Sequence, residues 1–437
     1  MGKKQNQLLN KMLDRSIGPE IFSFSPFKLK KAETHILENG SPIHFIVSGT
    51  QPILRLEFIF PAGTWFEPSN GLSYLASKMI LEGTQNRSAK DIANHIALFG
   101  AFIETQQGYE NLNITLYVLE KHLDEILPLI DEIFTKSIYI ETELANLKTL
   151  TSQSLKVSKE KNQFLASVNF RKVLFGENHP YGRQYWEKDI ESVDRNQLIE
   201  FANSFINWNK CEFFVSGQFS ISNVSSSINK FIEGSTSRFT ETKFPKIDFV
   251  SSDTNLFLVE RPTSLQSCIK YGCLTINRNN PDYIGLLILN EILGGFFGSR
   301  LMKNIREDKG YTYGIHSNVQ TLMKSSYFVI STEVKKENTK DTLTEIEKEI
   351  ETLKTNLISD QELKTVTSYM FGRFMNSINS PFALMDKFKT IYYSGLGYDY
   401  YDSFNYKLMN ITPSDIKVLA NKYFDHNNFS KVVIGAL

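Results

Sequence analysis

The chain has 437 residues and a mass of 50.1 kDa, too long for one compact core, which predicts two domains of ordinary size. Its composition, 41% hydrophobic, 13% aromatic and 22% charged, is that of a soluble globular protein. Lys plus Arg and Asp plus Glu each number 48, which excludes the basic excess that nucleic acid or an anionic membrane would need, so neither is expected as a partner.

In chain order, the opening MGKKQNQLLNKMLDRS starts basic, but Asn, Lys and Asp interrupt its leucines. No signal-peptide core forms, and a cytoplasmic location is expected. Asn6 stands where a myristoylation motif needs Ser or Thr. Strands are predicted over 42–48, 53–60 and 111–118, a long helix over 121–136, and tight turns at Asn39-Gly40 and Gly100. No apolar run reaches the roughly 20 residues of a membrane span.

The Ser/Thr-rich stretch EGSTSRFTETKFPKIDFVSSDTN has weak periodicity and reads as a linker over 234–248, between domains at 20–233 and 249–437. Cys211, Cys268 and Cys273 form neither a disulfide framework nor a CxxC pair and are expected to be buried thiols.

The halves repeat each other. NQLIEFANSFINWNKCEFFVSG aligns without gaps on SDIKVLANKYFDHNNFSKVVIG, pairing Ala202 with Ala420, Asn203 with Asn421 and Gly217 with Gly435. Each copy reads as an amphipathic helix, a polar turn and a short apolar strand ending in Gly. The starts of the halves also agree: a strand, a polar Pro-bearing loop, then a long apolar-faced helix. The fold class that follows is α+β, with two homologous domains, each a mostly antiparallel sheet covered by helices on one face.

FPAGTWFEPSNGLSYLASKMILEGT, with Gly71, Met79, Gly83 and Thr84 in frame, resembles the signature of the insulinase/pitrilysin peptidases. LENG at 37–40, HPYGR at 179–183 and GGFFGSRLMKNIREDKGYTYG at 294–314 extend the resemblance over nearly the whole chain. Family members carry HxxEH, whose two imidazoles at i and i+4 hold zinc while the Glu takes a proton from the metal-bound water. The matching positions here are Tyr74, Ser77 and Lys78, none of which suits those tasks. The third ligand of the family, a Glu, would fall near 153–155, where no carboxylate stands. The seven histidines show no i, i+3 or i, i+4 pair that would replace it. His179, in HPYGR, is expected to be a turn residue.

The frame from Gly294 to Tyr313 is kept, including Gly295, Ser299, Arg300, Leu301 and Gly310; Gly310 suits the left-handed position that stops the helix of Arg306, and the strand that follows is expected to carry Tyr313. The resemblance therefore implies that Arg306 and Tyr313 match the pair that reaches the zinc site from the second domain, the Tyr near the scissile carbonyl and the Arg on the substrate backbone. It also implies a non-zinc subunit that forms half of a clamshell with a zinc-motif-bearing homologous subunit and hydrolyses peptides only in that complex. No cofactor is expected in this chain, and zinc is expected in the partner. Two other readings are an inactive scaffold like the core proteins of the mitochondrial respiratory complex, and a peptide-binding homodimer.

Overall fold

The structure, a computed structural model, describes residues 27–232, 238–247 and 255–437. The opening stretch read for export, the start of the first domain at residue 20 and parts of the expected linker lie outside the described residues.

The first half runs β1 (Glu33–Ile36), β2 (Pro42–Val47), β3 (Ile53–Phe60), α1 (Leu72–Met79), α2 (Ala89–Leu98), β4 (Phe102–Gln107), β5 (Leu112–Leu119), α3 (Leu123–Lys136), α4 (Glu141–Lys159), α5 (Asn162–Phe175), α6 (Glu187–Ser192), α7 (Arg195–Phe205), β6 (Glu212–Gly217) and α8 (Ile221–Ile232). The second runs β7 (Leu256–Glu260), β8 (Gln266–Thr275), α9 (Tyr283–Asn290), β9 (Ile315–Thr321), β10 (Ser326–Lys335), α10 (Thr339–Thr355), α11 (Asp360–Asn376), α12 (Pro381–Tyr392), α13 (Asp399–Asn410), α14 (Pro413–Tyr423) and β11 (Ser430–Gly435). The helix expected over 121–136 is α3 preceded by a short 3-10 turn at Glu120–His122. Gly40 and Gly100 have positive φ, as their turns require.

The two sheets have the same topology. The first has the order β1-β2-β6-β3-β5-β4 and the second β7-β11-β8-β10-β9. With β1 set aside, the strands correspond one for one, and in each sheet the pair at one end (β2 with β6, β7 with β11) is parallel while the others are antiparallel. Local chemistry repeats too. The first turn of α7 is closed by a capping box of Asp194 and Gln197, and that of α14 by Thr412 and Asp415 at the matching positions. Asn207 and Asp425 then accept from the amides of Asn209 and Asn427 to form the turn that follows. The final glycines, Gly217 and Gly435, have φ of 136° and 143°, and a Cβ at either would collide with Ile53 or Ser267 of the neighbouring strand.

Helices were expected on one face of each sheet; the second face is covered as well, by one helix from the other half. α12 lies across β2 and β6, and its counterpart α5 lies across β8 and β11. This explains why β3 is buried along almost its whole length. Leu54, Leu56, Phe58 and Phe60 enter the first-half core, while Ile59 meets Met385 of α12 together with Ile46 and Phe214. On the α5 side, Cys268, Val432 and Ile434 join that same core. Cys211, Cys268 and Cys273 are buried free thiols.

Beside Ile59 the α12 contact is ionic. Arg55 of β3 lies 3.0 Å from Glu57 and 2.9 Å from Asp386 of α12, and also donates to the Phe382 carbonyl. Lys389, one turn on, pairs with both Glu57 and Asp386. Arg55 and Glu57 are buried, so each carboxylate shares two cations in a closed, alternating set. His44 of β2 sits on the same face among Phe214, Phe388 and Tyr392, with Nδ1 hydrogen-bonded to Thr34. Burial pushes its imidazole down to about 4. The described part of the linker, 238–247, has no regular structure but is not free: Phe239 and Thr240 donate to Asn39 and Asn209, and Trp65 donates to Pro245.

Glu57→Ala is expected to lower stability by about 3–5 kcal/mol because it leaves the buried Arg55 and the half-buried Lys389 to share one exposed carboxylate, Asp386. Asp124→Ala, which removes the exposed pair with Lys230, is expected to change it by less than about 1 kcal/mol. Urea unfolding of both variants measures the contrast. His44 binds its proton more weakly folded than unfolded, so its contribution is present above the unfolded value of 6.5 and is lost as pH falls from there through about 4. His44→Phe should flatten that part of the stability-versus-pH curve.

Candidate functional site

α1 begins after Gly71, whose φ of 84° turns the chain into the helix. Its free amides are capped from outside: a Glu67 oxygen accepts from the Ser73 amide at 2.9 Å and hydroxyl at 2.7 Å. Burial holds the Glu67 carboxyl above the usual range, against the pull of Ser73 and of Arg183, which lies 3.3 Å away. Arg183 also donates to the Thr64 and Glu67 carbonyls. His179 is buried as a turn residue, its carbonyl accepting the Gly182 and Arg183 amides and its Nδ1 the Tyr181 amide. The HPYGR run thus orients Arg183 onto the entrance of α1.

The three positions aligned with HxxEH have structural partners. Tyr74 is half-buried and stacks on Tyr185, ring centroids 5.2 Å apart. The Ser77 side chain is buried and donates to the Tyr74 carbonyl at 2.7 Å. Lys78 is exposed. On α4, which packs on α1, Gln153 and Ser154 are exposed while Thr151 and Leu155 are buried. Among the described residues, no three His, Cys, Asp or Glu side chains converge on a point where a metal would bind. A phenol, a hydroxyl and an ammonium do not fit a zinc ion.

Arg306 and Tyr313 lie in the second half, between α9 and β9. Arg306 belongs to a π-helical stretch, Met302–Asp308, and its guanidinium sits 4.6 Å from the Phe297 ring centroid. Gly310, with φ of 65°, turns the chain as expected. Tyr313 was expected within the strand, but β9 begins only at Ile315. The Tyr313 side chain is 94% exposed. The reason is Thr312, whose hydroxyl donates to the Glu333 carbonyl at 2.7 Å and accepts from the Gly314 amide and the Thr332 hydroxyl. The Tyr311 amide meanwhile bonds to the Ile305 carbonyl. With Tyr311 and Thr312 both bonded to neighbouring backbone, Tyr313 points out from an anchored segment.

No hydrogen bond joins Arg306 to Tyr313 among the described residues. The exposed phenol and the half-buried guanidinium each offer hydrogen-bond donors. Arg300, in the same motif, has a separate role: its guanidinium forms a two-pronged bond to Glu362 at 2.8 and 2.9 Å that ties α11 to this region. Sequence reasoning missed Thr312, Phe297 and Glu67. Thr312 lies inside the quoted motif beside Tyr313, but its role depends on Thr332 and Glu333 in the next strand.

Residues 47–178 match the family described as Insulinase (Peptidase family M16), and residues 192–369 the one described as Peptidase M16 inactive domain. An uncharacterized zinc protease of Bacillus subtilis is 23% identical over 320 residues, 73% of this chain and 77% of that protein. A Helicobacter pylori protein named a non-peptidase homolog is 22% identical over 284 residues, 63% of this chain and 64% of its own. The crystal structure of a peptidase M16 inactive domain from Pseudomonas fluorescens superposes with a TM-score of 0.84 at 22% identity, covering 93% of this chain and 99% of that one.

Restoring Tyr74→His, Ser77→Glu and Lys78→His together is expected not to produce stoichiometric tight zinc, because α4 still offers no carboxylate at 153–155 and Glu at position 77 would be buried. Metal content after dialysis against a weak chelator measures this; one zinc per chain would refute the alignment.

Proposed function

The chain belongs to the insulinase family of peptidases, family M16, and from that premise we propose that it is the non-zinc subunit of a heterodimeric metallopeptidase, supplying Arg306 and Tyr313 to a zinc-bearing homologous partner. The partner brings the metal and the water that it activates. From this chain, the guanidinium holds the substrate backbone by its carbonyls, and the phenol donates to the oxygen that gains charge as the peptide bond is attacked. Donors fixed beforehand in a water-excluded site stabilise such charge without reorganising during the reaction.

The observation that carries this reading is the presentation of Tyr313. An aromatic side chain left almost fully in water, on a backbone held by the Thr312 and Tyr311 bonds, buries nothing and supports nothing within its own half. Such a group makes physical sense if a second surface closes over it. The structural partners of Tyr74 and Ser77 point the same way, since this half is built to keep α1 in place rather than to hold a ligand. The name of the Helicobacter pylori relative, a non-peptidase homolog, agrees with a chain that does not cleave peptides alone. β9, the terminal strand of its sheet, starts two residues after Tyr313 and offers free main-chain groups to which an extended peptide could add.

The test uses a quenched fluorescent peptide, with this chain alone and with a zinc-motif homologue from the same organism. Hydrolysis is expected only in the mixture. In that mixture, Arg306→Ala and Tyr313→Phe are each expected to lower kcat by about 10²–10³-fold, with the complex unchanged by gel filtration. Unchanged turnover in both variants would remove the assigned roles.

A further inference from the structure

The face of the second sheet that carries α5 holds a cluster of nitrogen-bearing side chains that Arg306 and Tyr313 do not use. Lys270 of β8 is paired in register with Ser331 of β10, and Ser331 with His316 of β9. Directly paired residues point to the same face, so the three side chains form a row across adjacent strands spaced about 4.8 Å apart. Lys270 donates to the Ser331 hydroxyl at 2.8 Å. Arg171 projects toward this row from α5, which lies on β8 and β11.

Charge on this face is unbalanced. Among the described residues none of Arg171, Lys270 and His316 forms an ion pair, and Arg171 Nε has no hydrogen-bond acceptor. The carboxylate that acts on Lys270 is Glu333, an exposed residue farther along β10, and its pull is the weakest of the influences on that ammonium. Burial, then the neighbouring guanidinium, hold Lys270 below its ordinary range. Two cations kept close together and half-buried are unfavourable until an anion lies between them. His316 is on the exposed side of the row, at the terminal strand that starts two residues after Tyr313.

We propose that Arg171, Lys270 and His316 bind a carboxylate carried by the peptide, so that the preferred substrates bear an acidic side chain or a free C-terminus. The carboxylate lies over Ser331, one strand spacing from Lys270 and from His316; the ammonium and guanidinium supply charge and the imidazole an N–H donor. Peptide anchored at β9 reaches this point by turning one side chain, or its end, onto the sheet face. This inference rests on the peptide-binding reading of the Arg306 and Tyr313 region.

The experiment is fluorescence anisotropy of the full chain with three labelled peptides of one apolar sequence. One has internal glutamates and an amidated end, one has neutral side chains and a free C-terminus, and one is neutral and amidated. At least one carboxylate peptide is expected to bind about tenfold more tightly than the neutral amidated one, and which one identifies the source of the carboxylate. The preference should shrink as salt is raised and be lost in Lys270→Met and in His316→Gln. His316 is at an exposed edge, so its variant keeps the fold, which a circular dichroism melt verifies. Equal binding of all three peptides, or a preference that survives both variants, overturns the carboxylate site and leaves the peptide-binding reading standing. If none of the three binds, that reading falls and this one with it.

Discussion

The rest of the structure depends on the crossing of two helices, each of which covers the sheet of the other half. A sheet with one bare apolar face is not stable in water, and neither half supplies the second cover for its own sheet. α12 therefore completes the first half, and α5 the second. At α12 the contact combines the apolar cluster of Ile46, Ile59, Phe214 and Met385 with the alternating charges of Arg55, Glu57, Asp386 and Lys389. The apolar part supplies most of the favourable free energy. The charges contribute orientation, because buried ions tolerate few geometries. A shift of α12 along β3 would separate each carboxylate from its cation on the other element, Glu57 from Lys389 and Asp386 from Arg55.

That constraint also fixes where the chemistry can sit. The faces covered by α5 and α12 are committed near the middle of the molecule, which leaves the outer strands β4 and β9 and the loops beside them to meet other molecules. α1 packs on β4, and the segment of Arg306 and Tyr313 leads into β9, so the two copies of the fold hold their candidate surfaces at equivalent strands. In the first copy the helix is closed by Glu67, Ser73 and Arg183, Tyr74 stacks on Tyr185 and Ser77 donates to the Tyr74 carbonyl. In the second, wide π turns follow α9, and Tyr313 is held outward.

Much of this was legible in the chain. The ungapped match that pairs Gly217 with Gly435 foretold two halves, and the structure gives it a cause: both glycines end a strand against a neighbour that leaves no room for a Cβ. The strands over 42–48 and 53–60 and the helix after 121 were readable because burial imposes their periodicity. The second cover of each sheet was not readable. β3 holds Arg55 and Glu57 inside an apolar run, which in isolation suggests a face turned to water, and their partners stand more than three hundred residues away on α12. The strand limit before Ile315 escaped for a similar reason. Tyr313 alternates as a strand residue should, but the Thr312 hydroxyl takes the Glu333 carbonyl that a longer ladder would engage.

Duplication explains how one chain can keep a complete scaffold while its two copies diverge in chemistry. A ligand set such as HxxEH needs several residues correct at once, so any loss removes the metal and frees the remaining positions to adopt whatever packing favours. On the reading proposed above, Tyr74 on Tyr185 and Ser77 on its own helix are such positions: groups whose only demands are a neighbouring ring and a carbonyl. A presented donor has looser requirements, since it needs one outward side chain and an anchored backbone. The Thr312 anchor supplies that by bonding to the strand beside it, independently of α1 and of the cap at Glu67. The packing of Tyr74 and Ser77 and the anchoring of Tyr313 thus rest on separate local contacts. Either set of contacts can change without disturbing the other, provided that α5 and α12 still cross.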